Sequence, residues 1–96
     1  FESGSENVNE GLILYQNRPN PFSTVTDISF YLPKEGEASL KICDLNGKVL
    51  RQIIKRYGAG LHTIQLNNKD IEQSGILYYI LETSGHRAVK KMILIK

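Results

Sequence analysis

Between Thr24 and Leu32 polar and apolar positions alternate, with Thr26, Ile28, Phe30 and Leu32 on one side and Asp27, Ser29 and Tyr31 on the other. A period of two is the repeat of a half-buried β-strand. Residues 37–44 repeat it, with Ala38, Leu40 and Ile42 opposite Ser39, Lys41 and Cys43. Pro33-Lys34-Glu35-Gly36 between them reads as a turn, so the two segments form a hairpin or meander. Asn46-Gly47 predicts a second tight hairpin, because that dipeptide accepts positive φ at both central turn positions. The strand that follows, 48–56, turns basic residues to solvent. Gly58-Ala59-Gly60 then breaks the chain before a short strand over 61–66, where Ile64 and Leu66 are in phase. Residues 76–83, ILYYILET, are nearly continuously apolar, which predicts a central strand covered on both faces. Ser84-Gly85-His86 turns the chain into a last strand over 87–96.

The segments without this alternation punctuate it. Residues 1–11, FESGSENVNEG, are acidic and lack apolar periodicity, so they read as a flexible linker or tail with order starting at Leu12. LILYQN is a short first strand. In Arg18-Pro19-Asn20-Pro21-Phe22 two prolines remove two backbone donors and push the preceding residues towards extended geometry. This piece is a rigid corner, with Phe22 as its anchor in the core. Residues 67–75, NNKDIEQSG, suit one helical turn or a crossing connection, capped by Asn68 or Asp70 and ended by Gly75. About seven strands, turn signals every ten residues or so and no long helix give an all-β fold. The architecture expected is an antiparallel β-sandwich, with an open barrel as the alternative.

Composition narrows the function. The chain has 96 residues, enough for one domain and one core but not for a cleft between lobes. It starts at Phe1 rather than Met, which reads as a piece of a longer protein. Net charge is +2, but its distribution is uneven. Up to Gly47 there are three basic and seven acidic residues, net −4; from Lys48 there are nine and three, net +6. The basic excess is too weak, and too poor in aromatic or Gly-Arg interleaving, for a nucleic-acid binder. It suits a solvated strand face protected from aggregation, or a docking surface for an acidic partner or anionic glycolipid. The only imidazoles are His62 and His86, no G-x-S-x-G elbow exists, and Cys43 has no neighbouring His in sequence. Gly58-x-Gly60 lacks the context of a nucleotide loop, and Asp44-x-Asn46 lacks the later acidic ligand of a calcium loop. Cys43 reads as a small hydrophobe, with an intermolecular disulfide open to it if it faces solvent. One of Tyr78 and Tyr79 packs in the core with a bonded hydroxyl. No enzyme, cofactor, metal or small-molecule substrate is expected.

Three stretches occur together and in order: LYQNRPNPF at Leu14 to Phe22, DLNGKVL at Asp44 to Leu50, and SGILYY followed by KKMILIK at Lys90 to Lys96. They resemble the C-terminal sorting domain, type A, of proteins exported by the type IX secretion system of Bacteroidota. The resemblance covers 12–96 and implies an Ig-like sandwich of about seven strands. It implies a folded signal that passes from the periplasm through the outer-membrane translocon, with its shuttle proteins, to the cell surface or medium. It further implies an upstream cargo domain and removal by a sortase-like cysteine protease, with cleavage in 1–11. The cargo is often attached to anionic lipopolysaccharide. Docking residues carried over are Pro19, Asn20, Pro21, Phe22, Asn46, Gly47, Lys90, Lys91 and Lys96, the last strand being free to add to a partner sheet. One departure is that Leu77 stands where the family carries Tyr, so either the strand bulges or the ring is replaced. The competing reading is a carbohydrate-binding or adhesive Ig-like module, which the absence of Trp disfavours.

Overall fold

A computed structural model describes residues 11–95; Lys96 and the expected linker, all but Gly11, lie outside the described residues. Seven strands run β1 (Ile13–Leu14), β2 (Val25–Leu32), β3 (Gly36–Cys43), β4 (Val49–Tyr57), β5 (Gly60–Asn67), β6 (Gly75–Thr83) and β7 (His86–Leu94). They form two antiparallel sheets, ordered β1-β2-β5 and β4-β3-β6-β7. Among the described residues no ladder joins the two sheets edge to edge, so the fold is a sandwich rather than a barrel. The chain changes sheet between β2 and β3, β4 and β5, and β5 and β6, the crossing pattern of an Ig-like sandwich.

The period-two reading of β2 and β3 is met residue by residue. Thr26, Ile28, Phe30 and Leu32 are buried, as are Ala38, Leu40 and Ile42. The apolar ones meet Leu77, Tyr79, Leu81, Met92 and Leu94 from the other strands, with Leu66 and Ile71, in one core. Phe30 also packs edge-on against Tyr57, with ring centroids 5.2 Å apart. Cys43 points away from the core by alternation, yet it is buried and unpaired. A register shift at Ile42/Cys43, opposite Val49, accompanies this.

Several expectations need correction. β6 is central, but only one of its faces is covered: Leu77, Tyr79 and Leu81 are buried while Ile76 and Tyr78 are exposed. Its apolar run therefore overstates its burial. β6 does not bulge; its pairing with β7 is unbroken from Gly75 to Thr83, so Leu77 replaces the ring and Tyr79 points inward two residues later. The first strand shrinks to two residues, because the chain must leave the sheet to reach the proline corner. The 67–75 connection holds one 3-10 turn at Asn68–Asp70. Its cap is Asn67, whose side chain accepts from Lys69 N, rather than Asn68 or Asp70. Gly75 does not end that turn; it opens β6 with φ +99°.

Candidate functional site

The sequence LYQNRPNPF becomes a folded corner because its inward polar groups, the Asn17 side chain and the backbone of Tyr15, Asn17, Arg18 and Pro19, find partners. After Leu14 the backbone makes one more ladder bond, Tyr15 N to Ser29 O at 3.0 Å, then turns inward. Tyr79 reaches it from the middle of β6. The Tyr79 hydroxyl donates to Tyr15 O at 2.7 Å and accepts from Asn17 N at 2.8 Å. A buried phenol with both functions satisfied carries no desolvation debt on its hydrogen bonds. Burial pushes its pKa up to about 12, with the Asn17 N–H acting in the opposite direction.

Asn17 is itself buried. Its Nδ2 donates to Thr26 Oγ1 at 3.0 Å and to Pro19 O at 3.2 Å, and its Oδ1 accepts from Gln16 Nε2 at 2.7 Å. Thr26 Oγ1 donates to the same Pro19 O at 2.8 Å. The Pro19 carbonyl is thus held from two sides, which sets the course of the chain through the corner. The bonds from Arg18 to Pro19 and from Asn20 to Pro21 are both cis.

The far side of the corner grips β7. Phe22 N donates to Ile93 O at 3.0 Å, and Ile95 N donates to Phe22 O at 2.8 Å. Asn20 Oδ1 accepts from Ile93 N at 2.9 Å, and Gln16 Nε2 donates to Lys91 O at 2.7 Å. Lys91, Ile93 and Ile95 are the positions whose backbone groups face away from β6. By the same alternation Arg87 and Val89 face outward too, and among the described residues only that part of the β7 edge is left open. The terminal part of the last strand is therefore already bonded to its own chain.

Asn46 and Gly47 lie elsewhere. Gly47 N donates to Asp44 O at 3.0 Å and Asp44 N to Lys48 O at 3.0 Å. The central turn positions are thus Leu45 and Asn46, and Gly47 follows them with φ +85°. That is a three-residue hairpin, not the two-residue turn that Asn-Gly suggested. Asp44 Oδ1 accepts from Asn46 N and Lys48 N, both at 2.9 Å. The Lys48 N–H holds this carboxyl below its ordinary pKa against partial burial, with further help from Asn46, Gln73 and the Lys48 charge. A lowered carboxylate pKa stabilises the folded state above the unfolded value, and that contribution fades as pH falls through the folded one. Asp44→Asn is therefore expected to lower the urea midpoint at pH 7, with the gap to wild type closing as the pH drops below 4.

Pro19, Asn20, Pro21, Lys90 and Lys91 are exposed, Phe22 is buried, and Lys96 lies outside the described residues. The structure joins the corner to the Lys91–Ile95 stretch. It leaves the Asn46-Gly47 turn beyond β6, at the same end of the sandwich, where Cys43, Tyr78 and Lys91 form one cross-strand row. Sequence reasoning overlooked Asn17 and the Tyr79 hydroxyl as the corner's supports. Their only sequence signal was that an Asn and an inward Tyr fall inside quoted motifs.

Among curated proteins the chain has no match. A family model described as the secretion system C-terminal sorting domain matches residues 18–96. This family is the sorting signal of type IX secretion, by which proteins cross the outer membrane to the cell surface or the medium, and it is not an enzyme family. The match takes in the proline corner, the Asp44 hairpin and all strands from β2 to β7, and the chain belongs to the type IX secretion C-terminal sorting domain family.

Proposed function

We propose that the corner and the adjoining part of β7 are the surface by which the type IX translocon and its shuttle proteins hold this domain. Pro19, Asn20, Pro21, Lys90, Lys91 and Lys96 offer the contacts, Phe22 seats the corner, and Asn46 and Gly47 extend the same end. The observation that carries this reading is the corner itself: an exposed ridge whose backbone is held by Tyr79, Asn17, Thr26 and β7. A ridge ordered before binding loses little entropy when it is gripped. That suits a machine that must recognise many unlike cargoes through one shape. In the same reading an upstream cargo travels through the periplasm with this domain. A sortase-like cysteine protease then cuts within residues 1–11 and passes the cargo to anionic lipopolysaccharide.

The test fuses a secreted reporter ahead of the 96-residue chain in a host with a type IX system. Truncating the last strand would remove Met92 and Leu94 from the core. The triple variant Lys90→Glu, Lys91→Glu, Lys96→Glu avoids that. It is expected to leave the reporter folded in the periplasm, with surface display reduced at least tenfold. Undiminished display by a correctly folded triple variant would overturn the docking assignment.

A further inference from the structure

The two flanks of the sandwich are finished differently. On the β1/β7 flank the corner bonds to the terminal half of β7 through Gln16, Asn20 and Phe22. On the opposite flank β4 and β5 each end their sheet. β4 is nine residues long, contains no proline, and keeps an unbroken register with β3 from Arg51 to Tyr57. Every second residue of an outer antiparallel strand turns its N–H and C=O away from its neighbour. Leu50 is an extra residue at the start of β4, and beyond it Arg51 to Tyr57 offers a regular template for one more strand, a feature that proteins usually bury, break or shorten.

Charge says what kind of strand fits. From Leu45 to Lys69 the chain carries Lys48, Arg51, Lys55, Arg56 and Lys69 and no acidic residue. Arg56 is engaged, its Nε 3.2 Å from Glu35 Oε2, and Glu37 is its cross-strand neighbour on β3. Lys55 lies over the Tyr57 ring, 5.6 Å from its centroid. Arg51 and Lys55 have no acidic cross-strand neighbour, facing Ile42 and Ala38. A second copy of the chain is a poor occupant. Two β4 strands paired antiparallel about Ile53 would set Arg51 against Lys55 twice, and opposed like charges destabilise a ladder. β5 has no charged side chain at all and selects nothing by charge.

We propose that β4 is a strand-acceptor edge that takes an extended, acidic segment of a partner protein, antiparallel to it, with carboxylates opposite Arg51 and Lys55. Main-chain bonds supply sequence-tolerant affinity and the two cations set polarity and register. This surface is separate from the corner, so either assignment can fail without the other.

The test uses the 96-residue chain and a capped octapeptide alternating Glu with Val or Thr, followed by amide NMR and hydrogen exchange. Saturable binding is expected, with slowed exchange at alternate amides of β4. Arg51→Glu, Lys55→Glu is expected to weaken binding about tenfold or more, since two favourable cross-strand pairs become repulsive. Arg51→Gln, Lys55→Gln should fall between, guarding against a folding artefact of the reversal. Lys90→Glu, Lys91→Glu should leave peptide binding unchanged. No binding, binding without protection of β4 amides, or protection on β5 or β7 instead would overturn the proposal. In those cases the β4 cations only keep an open edge from aggregating.

Discussion

Replacing Phe22 by Ala is expected to cost about 3–5 kcal/mol of folding stability, the range for truncating a fully buried aromatic ring. Phe22 is only 2 % exposed and sits in the shared core with Leu14 and Leu94. Its backbone also brackets β7, taking a bond from Ile95 and giving one to Ile93. The cavity would thus open at the place where the corner is fastened. Urea denaturation measures the loss. Hydrogen exchange should in addition show Ile93 and Ile95 amides opening faster than the variant's global unfolding permits. A loss below about 1 kcal/mol would mean that the ring is replaceable and the corner is held by its backbone alone. The consequence for function is direct. Lost export in a Phe22 variant reports a loosened fold, whereas lost export in Asn20 or Lys91 variants with unchanged stability reports docking.

This separation of support from surface was only half legible in the chain. Alternation placed Thr26, Ile28, Phe30, Leu32, Ala38, Leu40 and Ile42 correctly on the core face, because one covered face forces a period of two. The prolines marked the corner, since few other structures tolerate them so close together. What could not be read were long-range partnerships. Gln16 and Lys91 are 75 residues apart in sequence, and Tyr79 lies 64 residues from Tyr15, yet each pair is hydrogen-bonded. Nothing local encodes such pairs; they follow from the order of strands in two sheets. The reading of β6 failed for a related reason. Ile76, Tyr78 and Ile80 are apolar although they face outward, so hydrophobicity alone could not tell a half-covered strand from a buried one. The Asp44 hairpin was misjudged by one residue because Asn-Gly serves both two-residue and three-residue loops. Which is used here is decided by the Asp44 carboxylate bonding ahead to Asn46 and Lys48.

Tyr79→Phe tests the partnership that the sequence hid. The ring stays and the core keeps its shape, but Asn17 N–H and Tyr15 C=O lose their shared partner. Leaving the buried Asn17 donor and the part-buried Tyr15 acceptor unmet is expected to cost about 1–3 kcal/mol. The cost should depend on pH in a direction fixed by the phenol. Its folded pKa is raised to about 12 from the ordinary 10. The neutral form is the one the fold binds, so the stabilisation is complete below pH 10 and fades as pH rises towards 12, where the unfolded chain has already released its proton. Tyr57 is also raised by burial, but it is present in both proteins and cancels in the comparison. The stability gap between wild type and Tyr79→Phe should therefore be constant from neutral pH to about 10 and narrow above it. A gap that persists unchanged to pH 12 would show that the hydroxyl is not the element tying β6 to the corner. A narrowing gap, with exchange at the Asn17 amide accelerated in the variant, would establish that one buried proton holds the exported ridge to the middle of the opposite sheet.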